Sequence, residues 1–239
     1  MRLAMAQLTV GPELEGNLNK ILAVIRHARP GDWVVFPECA LTGYFVENDR
    51  FLTDLAADVV DGAISTIARA VVAQECVCLL GTALPGEEQW YNAVVVIEPS
   101  GAQQIHRKVE LSELDRRHFS PGAATAVLDI EGTRIGIQVC RELLFPAAWT
   151  QLAGDGAQIM FHINNAIKPY DDVWEHVLIA RAVENGTFVC SVNNAAVPQE
   201  LRSYLVAPSG RLLVRSQRQA EQVIHHEIDL GGEHAASPF

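Results

Sequence analysis

The feature of this sequence that most constrains its fold is a regular alternation of strand-like and helix-like segments. Residues 2–9 and 33–36 are short apolar runs, which are typical of strands. Between them, residues 17–28 carry apolar side chains at helical spacing, and Pro30-Gly31 ends the pattern. Because strands and helices that interleave in this way pack as layers, the alternation predicts an α/β fold with mixed sheets.

The chain is predicted to be a single domain. No linker rich in Ser, Pro or Gly and no change of composition divides residues 1–239, and only the tail 231–239 is expected to be loose. Residues 126–130 and 134–139 are β-branched runs joined by a Glu-Gly turn, which indicates a hairpin. A chain of 239 residues buries roughly 70% or more of its unfolded surface, so it needs neither disulfides nor a metal to fold.

Charge and composition disfavour several classes of partner. The net charge of −11 argues against nucleic acid and anionic membrane surfaces, because both repel an acidic protein. No apolar stretch approaches the roughly 20 residues that span a bilayer, and the N-terminus has no secretory pattern. The cysteines are odd in number and scattered, so we expect reduced thiols in the cytoplasm and no zinc site. They are Cys39, Cys76, Cys78, Cys140 and Cys190.

A strand-like run leads into a reactive polar residue at three places, namely Glu38, Lys108 and Cys140. Side chains at strand ends of layered α/β folds converge on pockets. A cysteine nucleophile reacts as its thiolate, which needs a base and a nearby positive charge. Glu38 could remove the thiol proton and later protonate a leaving amine, and Lys108 could stabilise the thiolate and an oxyanion.

Each of these residues also has an ordinary interpretation. A single cysteine at the end of an apolar strand is usually a small buried hydrophobe. Glu38 by itself could be a helix cap or a surface acid, and Lys108 a solvated charge. Their spacing alone does not join the three residues into one site.

The chain resembles the nitrilase superfamily of carbon–nitrogen hydrolases. The resemblance is carried by three segments, which are Phe36–Tyr44, His106–Leu111 and Gly136–Glu142. Further agreement comes from Tyr91–Ala93, Phe119–Gly122 and Arg181–Asn185. Each segment alone is a modest match, but the ordered set is highly specific and covers almost the whole chain.

The resemblance implies a fold and a set of roles. The fold is a four-layer α-β-β-α sandwich with two mixed β-sheets, in a homodimer or a larger homo-oligomer. Glu38 is implied as general base, Lys108 as oxyanion stabiliser and Cys140 as nucleophile, with the backbone N–H of Arg141 as a second oxyanion donor. Members of this superfamily need no metal and no organic cofactor, which agrees with the lack of phosphate loops and metal-ligand motifs in the sequence.

The sequence departs from the superfamily pattern at several positions. Many members have a glutamate where this chain has Asp115, and that carboxylate orients the substrate and the attacking water. Asp115 is shorter by one methylene, so either it or Glu113 is expected to supply the carboxylate, and both could instead be solvated acids. Ala147 and the pair Leu201-Arg202 also replace common residues and leave the substrate class open.

Further residues are candidates for lining the substrate pocket. His118 lies near the Asp115 segment, and Asn164 and Asn165 follow a predicted strand, although two asparagines there are equally typical of a turn. Tyr44 has a hydroxyl near Glu38 in sequence and could orient it, or could simply pack. Arg141 is a candidate for contacting the substrate.

The predicted function is hydrolysis of a small non-peptide amide through an acyl-thioester on Cys140. Arg141 stands where true nitrilases commonly have Trp, which favours amides over nitriles. One alternative is an N-carbamoyl amino acid hydrolase, with Arg141 or Arg202 holding the substrate carboxylate. A second alternative is a non-catalytic binding or regulatory protein on the same scaffold.

Overall fold

The computed structural model describes residues 1–166, 171–196 and 201–232. Most of the tail predicted to be loose, 231–239, lies outside these residues. The described residues form strands β1 (Arg2–Gln7), β2 (Asp32–Val35), β3 (Val77–Pro85), β4 (Trp90–Ile97), β5 (Gln103–Arg107), β6 (Leu128–Ile130), β7 (Thr133–Val139), β8 (Ile159–Ile163), β9 (Phe188–Val192), β10 (Tyr204–Val206), β11 (Leu212–Arg215) and β12 (Gln222–Glu227). The α-helices are α1 (Leu14–Arg26), α2 (Ala57–Gln74), α3 (Pro146–Gly154) and α4 (Asp171–Asn185), and short 3-10 helices span Asp115–Arg117 and Cys140–Leu144.

The helix predicted over residues 17–28 is α1, and it begins earlier, at Leu14. Glu13 occupies the position before the helix but makes no side-chain capping bond. The start therefore carries no local sequence signal of the kind that Ser, Thr or Asp would supply.

The strands form two six-stranded mixed sheets. The first sheet has the order β12-β1-β2-β3-β4-β5, and the second has the order β11-β10-β9-β8-β7-β6. Strands β1, β2 and β3 pair in parallel at the centre of the first sheet, as β7, β8 and β9 do in the second. The remaining pairs are antiparallel. The predicted mixed sheets are confirmed.

The alternation of side chains along each strand builds the layers. In β1, Leu3 and Met5 pack in the core between the sheets, whereas Ala4 and Ala6 face the helices α1 and α2. Across the core between the sheets, the rings of Trp33 and Phe161 stack with centroids 5.9 Å apart. Helices α3 and α4 cover the outer face of the second sheet. The α-β-β-α order of layers is therefore confirmed.

The carboxyl ends of the parallel strands meet at one edge of the sandwich. The backbone N–H of Glu38, after β2, donates to the carbonyl of Asn164, after β8, at 3.3 Å. Gly81 in β3 is required here, because a Cβ atom would lie 2.2 Å from the carbonyl oxygen of Pro37. The bare backbone of Gly81 lets β3 approach the turn that carries Glu38.

Among the described residues, no helix is both long and apolar enough to cross a membrane.

Candidate active site

Cys140 follows β7 directly and begins a 3-10 helix. Its φ of 51° lies in the left-handed region, which is unfavourable for a residue with a side chain. The residue is half-buried and lines a cavity of about 390 Å³. Strained backbone of this kind persists only when its surroundings hold it in place, so the contacts around Cys140 define the site.

His162 on β8 holds the backbone of Cys140. Its Nε2 lies 2.8 Å from the carbonyl oxygen of Cys140, and its Nδ1 lies 2.9 Å from the hydroxyl of Ser191. A carbonyl only accepts hydrogen bonds, so we assign the proton to Nε2, and the Ser191 hydroxyl donates to Nδ1. Burial lowers the pKa of His162 to about 4. His162 is therefore neutral near neutral pH and supports the turn at Cys140.

Lys108 lies between two buried carboxylates. Its Nζ is 2.9 Å from Oε1 of Glu38 and 2.9 Å from Oδ2 of Asp115. All three residues are at most 1% exposed. A buried charge is tolerated when it is paired, so the three groups stabilise one another in an environment from which water is largely excluded.

The surroundings shift the pKa values of the three groups in different directions. Burial alone would lower the pKa of Lys108, but attraction to the carboxylates of Glu38 and Asp115 outweighs burial and raises it. Burial raises the pKa of Glu38, and Lys108 offsets only part of that effect. Burial also opposes ionisation of Asp115, but Lys108 and the hydrogen bonds to its carboxylate lower the pKa. The site thus holds a charged lysine and an ionised Asp115 beside a glutamate that accepts a proton more readily than usual.

Asn92 on β4 fixes one oxygen of Glu38 and leaves the other available. Its side-chain Nδ2 donates to Oε1 of Glu38 at 2.7 Å. Its backbone carbonyl accepts a hydrogen bond from the backbone N–H of Lys108 at 2.8 Å. The second oxygen, Oε2 of Glu38, is buried and has no hydrogen-bond partner among the described residues. A carboxylate oxygen in this situation is suited to exchanging a proton with a reacting group.

The thiol of Cys140 is held in its protonated form by its surroundings. Burial raises its pKa, and the charge of Glu38 adds to that effect. Lys108 and the backbone N–H of Asn165 act in the opposite direction without overcoming burial. Formation of the thiolate therefore requires a base at the moment of reaction.

The structure brings Asp115, and not Glu113, to Lys108. The Asp115 carboxylate accepts hydrogen bonds from the Tyr44 hydroxyl at 2.7 Å and from the backbone N–H of Ser112 at 2.9 Å. Glu113 is exposed. Tyr44, for which the sequence left open orientation of Glu38 or simple packing, hydrogen-bonds Asp115, and its ring centroid lies 5.9 Å from Nζ of Lys108.

Glu142, which sequence reasoning did not single out, joins the segment after Lys108 to the turn at Cys140. Its Oε1 accepts the backbone N–H groups of Val109 and Glu110 at 2.7 Å and 3.1 Å. Its Oε2 accepts the backbone N–H of Val139 at 2.6 Å. Burial opposes ionisation, but His106 and these N–H donors outweigh burial and lower the pKa of Glu142. Glu142 and Asn92 both lie within the segments that carried the family resemblance, which was the available signal.

Two predicted pocket residues lie elsewhere. The Nε2 of His118 lies 3.0 Å from the carbonyl oxygen of Val46, and its ring packs edge-on against Phe51, so the residue supports a loop and does not line the cavity at Cys140. The Nη1 of Arg141 donates to the carbonyl of Leu111 at 3.0 Å, and Arg141 is not among the residues that line the cavity. Substrate contact by these two side chains stays a prediction.

The two asparagines after β8 differ in position. Asn165 lines the cavity, and its Oδ1 accepts a hydrogen bond from Asn194 at 3.1 Å. Asn164 is fully buried, and its side-chain atoms have no hydrogen-bond partner within the described part of the chain. Asn164 contributes through its backbone, which joins the Glu38 turn to β8 and β9.

The chemical capacity of the site follows from this arrangement. Besides Cys140, the cavity walls include Tyr44, Leu114, Asn165, Ala166 and Trp174. The ammonium group of Lys108 and the carboxyl groups of Glu38 and Asp115 are near enough to Cys140 to shift its pKa, and such a set can support attack of a thiol on a carbonyl. Within residues 1–166, 171–196 and 201–232, no three His, Cys, Asp or Glu side chains are grouped as ligands for a metal ion.

This chain matches a known family model and is similar in sequence or in fold to several known proteins. A family model described as carbon–nitrogen hydrolase matches residues 2–236. The (R)-stereoselective amidase of a Pseudomonas species is 29% identical over 220 residues, which cover 89% of this chain and 80% of that protein. A carbon–nitrogen hydrolase structure from Helicobacter pylori G27 superposes with a TM-score of 0.88 at 17% identity, covering 96% of this chain and 89% of that one. An amidase from Nesterenkonia sp. AN1, with acrylamide added to its active-site cysteine, superposes with a TM-score of 0.85 at 23% identity, covering 96% and 93%.

Proposed function

The chain belongs to the carbon–nitrogen hydrolase family, and on that premise we propose that it hydrolyses a small non-peptide amide through a thioester on Cys140. The observation that carries the proposal is the position of Cys140 on a cavity wall, within the electrostatic reach of Glu38, Lys108 and Asp115. The amidase names among the relatives support this chemistry, as does the reactive cysteine of the Nesterenkonia amidase.

The first half of the reaction forms the thioester. Oε2 of Glu38 takes the proton from the thiol of Cys140, and the sulfur attacks the amide carbon. The negative charge that develops on the carbonyl oxygen is stabilised by Nζ of Lys108 and the backbone N–H of Arg141. Glu38 then gives its proton to the departing nitrogen, the C–N bond breaks, and ammonia or an amine leaves.

The second half releases the acid. Water attacks the thioester carbon while Glu38 takes one of its protons. The C–S bond breaks, the carboxylic acid leaves, and the proton held by Glu38 returns to the sulfur of Cys140. Asp115 keeps Lys108 charged and in place through both halves, because its ionised carboxylate lies 2.9 Å from Nζ.

The test is substitution of the nucleophile, with another cysteine as control. We expect Cys140→Ala to fold but to lose ammonia release from small amides by about 10³-fold or more. Cys76 is a buried core residue outside this site, so Cys76→Ala should retain turnover. Intact and peptide mass spectrometry of the wild-type protein with a slow amide should show an acyl adduct on Cys140. Full activity of Cys140→Ala, or an adduct on another cysteine, would contradict the mechanism.

A panel of amides, N-carbamoyl amino acids and nitriles separates the proposal from its alternatives. Preferential release of ammonia from the amides supports the proposal. Turnover confined to N-carbamoyl amino acids would favour that alternative, and nitrile turnover alone would favour a nitrilase. If no compound is turned over and Cys140 is alkylated by iodoacetamide no faster than the other cysteines, the chain is a binding protein.

A further inference from the structure

The walls of the cavity at Cys140 are mainly apolar. Besides Leu114, Ala166 and Trp174, they include Phe45 and Val46. A cavity of about 390 Å³ with such walls is typical in size for a small-molecule site. Resting on the proposed amide hydrolysis, we infer that the acyl group of the substrate is uncharged and apolar, either branched aliphatic or aromatic.

The charge around the cavity supports this class of acyl group. Among the described residues that line the cavity, the ionisable side chains are those of Cys140, Tyr44 and Glu47. Glu47 is exposed. No described lysine, arginine or histidine lines this cavity. A substrate carboxylate would lose water on entry and would face the Glu47 charge without a cation from these walls, and an unpaired buried charge is costly.

The two arginines considered as carboxylate anchors have other partners. The guanidinium of Arg141 donates to the carbonyl of Leu111 and lies 5.3 Å from the ring centroid of Phe145. Arg202 donates through Nη1 to the carbonyl of Ser216 at 2.9 Å. Neither residue lines the cavity. An N-carbamoyl amino acid or the monoamide of a dicarboxylic acid therefore finds no cationic anchor for its carboxylate among the described residues that line the cavity.

Apolar walls also lie next to the reacting atoms. The ring centroid of Trp174 is 5.8 Å from that of His162, the residue that holds the carbonyl of Cys140. On another wall, Leu114 directly precedes Asp115, which contacts Lys108. An acyl chain attached to the sulfur of Cys140 would therefore meet carbon surface from its first methylenes onward.

The inference predicts how the rate depends on the acyl group. Each methylene transferred from water to an apolar wall should raise kcat/KM for a primary amide by about fourfold until the cavity is full. A sharper comparison uses isocaproamide and succinamate, which have nearly the same shape, with a branched alkyl end in one and a carboxylate in the other. We expect kcat/KM for isocaproamide to exceed that for succinamate by about 100-fold.

The experiment measures ammonia release from both amides by the full chain and by two charge-reversal variants. Glu47→Lys should raise the rate of succinamate relative to isocaproamide by about tenfold, because it supplies the missing cation at the cavity wall. Glu88 is exposed in the turn between β3 and β4, so Glu88→Lys makes the same change in net charge and should leave the ratio as it is.

The outcomes separate this inference from the proposed function. A ratio above about ten in favour of isocaproamide supports the apolar class. If the ratio is lower, or if succinamate is preferred, and an acyl adduct still forms on Cys140, the inference is wrong. Amide hydrolysis through Cys140 then remains supported. If neither amide releases ammonia and no adduct forms, the proposed function fails and the inference fails with it.

Discussion

Replacing Glu142 by Gln tests whether this buried carboxylate joins the lysine segment to the nucleophile's turn. The wild-type side chain accepts three backbone hydrogen bonds, from Val109, Glu110 and Val139. A glutamine oxygen in place of Oε1 can keep the bonds to Val109 and Glu110. Its NH₂ group then faces the N–H of Val139, so two donors meet where a donor and an acceptor met before.

The magnitude follows from these bonds. Loss of one charge-assisted hydrogen bond costs about 1.5–3 kcal/mol, and a buried N–H without a partner costs about 1–3 kcal/mol. Together with weakening of the two retained bonds, we expect Glu142→Gln to lower the free energy of unfolding by about 3–5 kcal/mol at pH 7. In a chain of 239 residues, such a loss corresponds to a fall in Tm of about 6–20 °C.

The loss of stability caused by Glu142→Gln should depend on pH, and the direction follows from the pKa of Glu142. The folded-state pKa of Glu142 lies below its ordinary value, so the carboxylate stabilises the fold at any pH above the unfolded pKa. That stabilisation is lost as the pH falls through the lowered folded pKa. Since glutamine does not titrate, the difference in unfolding free energy between wild type and Glu142→Gln should shrink as the pH falls below about 4.5.

Urea unfolding followed by circular dichroism at several pH values measures this difference. The matched control is Glu88→Gln, an identical change at an exposed position, which should alter stability by no more than about 0.5 kcal/mol. A cost below about 1 kcal/mol for Glu142→Gln, with no narrowing in acid, would refute the assignment of Glu142 as the tie between the two segments.

Other substitutions test the contacts around the site. Tyr44→Phe removes a hydroxyl donor from Asp115, so the pKa of that carboxyl should rise, its hold on Lys108 should weaken, and kcat for ammonia release should fall about tenfold. Gly122→Ala places a Cβ 2.3 Å from the carbonyl oxygen of Arg107 and should lower the free energy of unfolding by about 2–3 kcal/mol in urea titrations. Gly62→Ala, in open space on α2, should instead raise it by about 0.5–1 kcal/mol. An unchanged free energy of unfolding in Gly122→Ala, or an unchanged kcat in Tyr44→Phe, would contradict these assignments.

Much of the fold was predictable because hydrophobic periodicity is a local property. The apolar run of β1 and the helical spacing in α1 each identify an element without knowledge of its partners. The order of the strands was not predictable. It depends on which strand edges pair across long stretches of chain, as β1 does with β12, and no local signal records that choice.

The predictions of pocket-lining residues also depended on the tertiary structure. Asn165 lines the cavity as expected, whereas His118 and Arg141 do not. The Arg141 side chain follows the nucleophile directly in sequence, yet its guanidinium reaches the carbonyl of Leu111. Proximity in sequence fixes where a backbone atom lies, but a long side chain is directed by whichever acceptor the fold brings near it. The expected cytoplasmic location and homo-oligomer stay predictions.

The sequence by itself determined the layered α/β class and the family, and it predicted Glu38, Lys108 and Cys140 as site residues, because residue types and ordered motifs are written along the chain. Only the tertiary structure decided that Asp115 and not Glu113 meets Lys108. It also decided that the side chains of His162 and Glu142 hold the turn at Cys140. The physical reason is that pairing and pKa depend on distances of about 3 Å between groups from separate strands, and these distances exist only once the two sheets have packed.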